Sequence, residues 1–161
     1  MPDFASLLPG LRRQFPALSR LHHEQPVAFF DGPAGTQVPQ RVIEAMSDYL
    51  AHKNANHGGA FATSRESDRL LDEAHRATAD LLGVSDPDCI AFGQNMTSLT
   101  FALSRALAKT WQPGDEIVVT KLDHDANVTP WVLAAADAGA TVKFVPLQME
   151  DCTLDLDAFR R

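Results

Sequence analysis

The chain has 161 residues, 45% of them apolar and 22% charged, which excludes the collagen-like, low-complexity and disordered classes and suffices for one ordinary domain. Fourteen Lys and Arg against 21 Asp and Glu give a formal charge of −7, and the positive residues are scattered singly or in pairs, so the basic footprint of a nucleic-acid binder is missing. No apolar run approaches the roughly 18 residues that span a bilayer, and Cys89 and Cys152 form neither a CxxC nor a disulfide framework; the reading is a cytoplasmic protein without a membrane segment.

The first stretch places Phe4, Leu7, Leu8 and Leu11 at the spacing of a short amphipathic helix, read as an N-terminal arm over residues 1–25. Val27 to Phe30 predicts a strand running into the turn Asp31-Gly32-Pro33-Ala34-Gly35. Val42, Ile43, Met46 and Leu50 mark a helix that stops before the glycine-rich loop from Asn54 to Ala62. Thr63 and Glu66 have the spacing of a capping box, and Leu70, Leu71, Ala74, Ala77, Leu81 and Leu82 continue as one face of a long helix closed by Gly83. Then the period alternates. Cys89 to Phe92 reads as a strand, Leu99 to Leu107 as a helix, Ile117 to Val119 as a strand, Val128 to Ala138 as a helix, Val142 to Val145 as a strand, and Leu154 to Phe159 as a helix beginning. Strands alternating with helices over short links predict parallel βαβ units with helices on both faces.

In such a sheet, ligands gather outside the carboxyl ends of the strands, so the loops entering helices carry the chemistry. After Phe92, Gly93-Gln94-Asn95-Met96-Thr97-Ser98 opens a helix. Asn95 can cap it, and free N–H groups with two hydroxyls make a competent phosphate cradle. Alone, the loop reads first as an ordinary capped helix start, since nearly every βα unit has one. The loop after Val119 carries His124, predicted on the same sheet edge, where an imidazole can stack, exchange protons or bind metal. A lone loop histidine is more often a solvated hydrogen-bonding residue. Asp123 and Asp125 flank it, and an Asp-His-Asp metal hydrolase is the rival enzyme reading, weakened because three adjacent residues rarely converge on one ion. Asn56, His57 and paired glycines in the Asn54–Ala62 loop allow close backbone approach, or serve as a plain connector.

Four segments carry a family likeness: Phe30 to Pro39, Asn54 to Ser64, Phe92 to Leu99, and Asp115 to Trp131. In order and spacing they resemble the N-terminal part of the class V aminotransferases, in the cysteine desulfurase and selenocysteine lyase branch of pyridoxal-phosphate enzymes. The resemblance implies a partial fold-type I large α/β domain over residues 26–161, a mainly parallel sheet, an amino-acid substrate and a homodimer. It further implies that Asn95, Met96 and Thr97 hold the phosphate of pyridoxal 5'-phosphate and that His124 stacks on the pyridine ring and helps move protons. By the same likeness Ala34 and Gly35 form a small-residue turn near the substrate, and Gly58 lies in a loop that reaches toward a partner subunit. Where family members commonly have paired threonines, this chain has Asn95-Met96, so phosphate contact leans on backbone N–H groups. The family's cofactor-linking lysine, its ring-nitrogen aspartate, its carboxylate-gripping arginine and its persulfide cysteine lie further along a longer chain. None of Lys53, Lys109, Lys121 and Lys143 matches the linking lysine. The expectation is therefore an N-terminal fragment inactive alone, beside a third possibility, a non-catalytic binding or dimerisation module.

Overall fold

Asp3 opens the first helix by accepting the Ala5 N–H on its carboxylate at 3.1 Å, and α1 runs over Phe4–Arg12 in the computed structural model, which describes residues 3–32 and 35–160. The chain divides into two units, Met1–Ile90 and Ala91–Arg161.

In the first unit a two-residue hairpin follows, β1 (Leu21–His22) antiparallel to β2 (Gln25–Pro26). Its turn residues His23 and Glu24 take φ of 48° and 63°, the positive values that a tight hairpin of this type demands. No Asn-Gly or Asp-Gly announces this turn, and the hairpin was not foreseen. The strand predicted over Val27 to Phe30 does not form. Val27 adds one rung to the hairpin through Arg20 O at 3.0 Å, and the run then leaves the ladder, with Phe30 94% exposed. An apolar run becomes a strand only where a neighbouring backbone takes its N–H and C=O groups, and among the described residues this ladder stops at Val27.

The helix predicted from Pro39 is α2 (Gln40–Asp48), which widens into a π turn over Tyr49–Lys53 before the glycine-rich loop. The long helix α3 spans Ala62–Leu82 and ends on Gly83 with φ 70°, the left-handed residue that closes a helix. Its start corrects the predicted capping box. The helix begins before Thr63 with Phe61 at the cap position and no side-chain cap bond, because Ser64 and Ser67 of the first turns face inward and serve the preceding loop instead.

The strand predicted over Cys89 to Phe92 is likewise not assigned. Asp86 accepts the Asp88 N–H at 3.0 Å and winds Pro87–Cys89 into a 3-10 turn, and no strand is assigned to this run among the described residues.

The second unit holds the predicted βαβ motif. Helix α4 (Met96–Ala108) precedes β3 (Glu116–Thr120), then come a 3-10 turn over Asp125–Asn127, α5 (Thr129–Ala138) and β4 (Thr141–Val145). The strands pair in parallel, from Glu116 opposite Thr141 to Thr120 opposite Val145, and Lys121 extends the ladder by donating to Val145 O at 3.0 Å. A parallel pair needs a crossover, and α5 supplies it. Pro130 fits its first turn, where no N–H partner is required, and Gly139 at φ 72° releases the chain into β4. The core here is Val119 and Val145 from the strands against Pro130, Ala134 and Ala135 of α5. Helix α4 also packs against α5. A short helix α6 (Leu156–Phe159), capped by Asp155, ends the described chain.

Candidate functional site

The carboxyl end of β3 and the amino end of α4 belong to the same unit, and α4 packs against the Asp125–Asn127 turn. Asn95 has an extended backbone, and its Oδ1 accepts the Ser98 N–H at 2.9 Å, while Leu99 donates to Asn95 O at 3.1 Å. The asparagine thus caps α4 as its position suggested. The N–H groups of Met96 and Thr97 and the hydroxyls of Thr97 and Ser98 have no protein partner among the described residues, and all four residues from Asn95 to Ser98 are exposed. This is a row of free donors at the positive end of a 13-residue helix, chemistry that suits a phosphate.

His124 is the cap residue of the 3-10 turn. Its Nδ1 accepts the Ala126 N–H at 3.1 Å, and the ring is otherwise exposed. Asp123 and Asp125 turn away from it. Thr120 donates its hydroxyl to Asp123 at 2.5 Å and Asn127 donates to the other Asp123 oxygen at 3.3 Å; Thr129 donates to Asp125 at 2.6 Å. These bonds, Thr120 first and Asn127 second, hold the Asp123 carboxyl below the usual carboxylate range. The Asp-His-Asp metal reading is corrected accordingly: each side chain is committed to a different neighbour, and no group of three His, Cys, Asp or Glu among the described residues is arranged to hold a metal ion.

The bonds continue from Asp123 through Asn127, whose Oδ1 accepts the Trp131 indole N–H at 3.1 Å. Together they wall a cavity of about 360 Å³ beside β3, lined by Trp111, Val119, Thr120, Asp123, Asn127 and Trp131. Sequence reasoning did not single out Thr120 or Asn127. The available cue was spacing, since Asp123, Asn127 and Trp131 stand four residues apart in series.

In the first unit, the loop from Asn54 to Ala60 is held by side chains of α3 and the π turn. Ser64 is fully buried; it donates to Asn56 O at 2.6 Å and accepts the Gly59 N–H at 2.7 Å. Ser67 donates to Ala55 O at 3.0 Å beside the Tyr49 hydroxyl at 3.1 Å, and Asp68 accepts the Gly58 N–H at 2.8 Å. Gly58 takes φ 80°, and a Cβ on Gly59 would sit 2.9 Å from Ser64 Oγ, so both glycines are required by geometry. His57 is exposed, with Nδ1 4.0 Å from the Asp68 carboxylate. Gly35 donates to Asp31 O and Gly32 O at 3.3 Å in an exposed turn, whereas Ala34 lies outside the described residues.

A family model described as Aminotransferase class-V matches residues 28–161. A probable cysteine desulfurase of Mycolicibacterium paratuberculosis is 37% identical over 140 residues, covering 86% of this chain and 20% of that protein. The apo structure of the cysteine desulfurase of Thermococcus onnurineus NA1 superposes with a TM-score of 0.80 at 25% identity, over 93% of this chain and 36% of that one. A C-DES variant with glycine covalently linked to its pyridoxal-phosphate cofactor superposes with a TM-score of 0.60 at 25% identity, over 91% of this chain and 34% of that one. The chain thus spans a fifth to roughly a third of the length of these proteins.

Proposed function

The chain belongs to the class V aminotransferase family, and from that membership we propose that it is the N-terminal part of a pyridoxal-phosphate enzyme acting on an amino acid, cysteine by likeness to its desulfurase relatives. The observation that carries the reading is the row of unpartnered donors at Met96, Thr97 and Ser98, on a helix packed against the turn that carries His124. Residues 26–161 form the cofactor-binding part and residues 1–25 an arm. The complete protein is a cytoplasmic homodimer; no helix among the described residues is long and apolar enough to cross a membrane.

The donor row fits a phosphate ester. Met96 and Thr97 offer backbone N–H groups, Thr97 and Ser98 offer hydroxyls, and Asn95 keeps the helix end open by capping it from the side. When bound, the cofactor supplies an electron-withdrawing ring that stabilises negative charge at the substrate Cα. His124 gives a flat face for that ring, and its turn is held by bonds from within the chain. By likeness to the family, Ala34 and Gly35 are assigned to the substrate side and Gly58 to the loop that meets a partner subunit.

These residues alone do not turn over substrate. Covalent attachment needs a positioned lysine amine. Lys53 is ion-paired with Asp48 at 2.5 Å, Lys143 with Glu116 at 3.2 Å, and Lys109 closes α4. Lys121 directly follows β3, its backbone N–H donating to Val145 O.

The test is to titrate the purified chain with pyridoxal phosphate, following the phosphorus resonance, then to reduce with borohydride and map peptides. Saturable phosphate binding that Thr97→Val weakens, without a stoichiometric lysine adduct or turnover, supports the proposal. No binding refutes the cradle, and one adduct at Lys121 with amino-acid turnover refutes the inactivity.

A further inference from the structure

The two nitrogens of His124 are not equivalent. A backbone N–H can only donate, so the 3.1 Å bond from Ala126 makes Nδ1 the acceptor and leaves the single ring hydrogen on Nε2. An imidazolium, with hydrogen on both nitrogens, cannot make this bond. No carboxylate backs the ring either: Asp123 is held by Thr120 and Asn127, and Asp125 by Thr129, so the arrangement that would poise a histidine as a base is missing on both flanks. The bond is also structural. His124 occupies the cap position of the 3-10 turn, Ala126 is buried, and Asn127 and Val128 then donate to His124 O at 2.8 Å and Asp125 O at 2.9 Å.

We infer that His124 acts as a neutral hydrogen-bond donor through Nε2 and not as a base, because its Nδ1 is committed to the backbone of its own turn. The inference rests on the proposed placement of His124 beside the cofactor ring. It makes the histidine a positioning group, presenting a flat neutral face and one outward N–H, and requires that the proton taken from substrate go to another group.

The experiment uses the full chain, uniformly labelled with ¹⁵N, at about pH 8, above the usual imidazole titration. His124 is assigned by the resonances lost in His124→Asn. Expected are a pyridine-type Nδ1, a pyrrole-type Nε2, and scalar coupling between His124 Nδ1 and the Ala126 amide. His124→Asn, which offers an oxygen at the cap, keeps the Ala126 amide protected, whereas His124→Ala accelerates its hydrogen exchange by about tenfold. A pyrrole-type Nδ1, or Ala126 exchange unchanged in His124→Ala, overturns the inference. Because no cofactor is present, these outcomes are independent of whether pyridoxal phosphate binds. Failure of binding refutes the proposed function and leaves the tautomer standing.

Discussion

The hydroxyl of Ser64 lies 2.6 Å from the carbonyl oxygen of Asn56, eight residues back, with the serine fully buried. Ser64 Oγ in turn accepts the Gly59 N–H at 2.7 Å, so one side chain in the first turn of α3 satisfies a donor and an acceptor of the glycine-rich loop. Nothing in the spacing of Asn56 and Ser64 announces this contact.

Ser64→Ala removes the buried hydroxyl and leaves the Asn56 carbonyl and the Gly59 N–H without their partner on α3. An unsatisfied buried polar group costs about 1–3 kcal/mol, so urea unfolding is expected to shift by that amount. Gly58 and Gly59 amides should lose protection in the same variant, while amides in the middle of α3 keep theirs. A variant as stable as the parent would show that the loop is not anchored at this serine.

At the start of α4, Asn95→Ala and Asn95→Asp separate stability from phosphate binding. Alanine loses the bond to Ser98 and is expected to destabilise by about 1 kcal/mol. Aspartate caps as well as asparagine and leaves stability near the parent's, but it sets a negative charge beside the donor row. Pyridoxal phosphate affinity, measured by equilibrium dialysis, should therefore fall in Asn95→Asp without loss of stability.

The Asp123 carboxyl is held down by the Thr120 hydroxyl first and Asn127 second. A carboxyl lower in the folded than in the unfolded chain stabilises above its unfolded value, near 3.9, and that contribution is lost as pH falls through the lower folded value. Thr120→Val should move the Asp123 titration upward toward the ordinary value, read from the side-chain carbon resonance, and should weaken the acid-side stability dependence. An unmoved titration would mean that Thr120 is not the dominant partner.

Gly83 closes α3 at φ 70° with open space where a Cβ would stand. Gly83→Ala therefore meets no clash, and its cost is conformational, about 1 kcal/mol for an L-residue in the left-handed region. Thermal unfolding monitored by helical dichroism gives the difference. No loss of stability would contradict the left-handed closure.

Helices α3, α4 and α5 were legible because their instructions are local: apolar spacing, Gly83 after α3 and Asn95 before α4. The same holds for β3 and β4, apolar runs on either side of a crossover helix, and for the place of His124 in the loop that leaves β3. What only the tertiary structure decided depends on groups distant in sequence or on which neighbour wins a bond. Val27 to Phe30 and Cys89 to Phe92 have strand composition, yet a strand is a property of a pair, and neither run is part of a sheet ladder among the described residues. Thr63 and Glu66 have the spacing of a capping box, but the loop carbonyls of Ala55 and Asn56 claim the first turns of α3 through the buried Ser67 and Ser64. His124 could be placed from sequence, but not its tautomer, because that is set by whether Ala126 turns its N–H toward Nδ1, a matter of backbone direction that residue type does not encode.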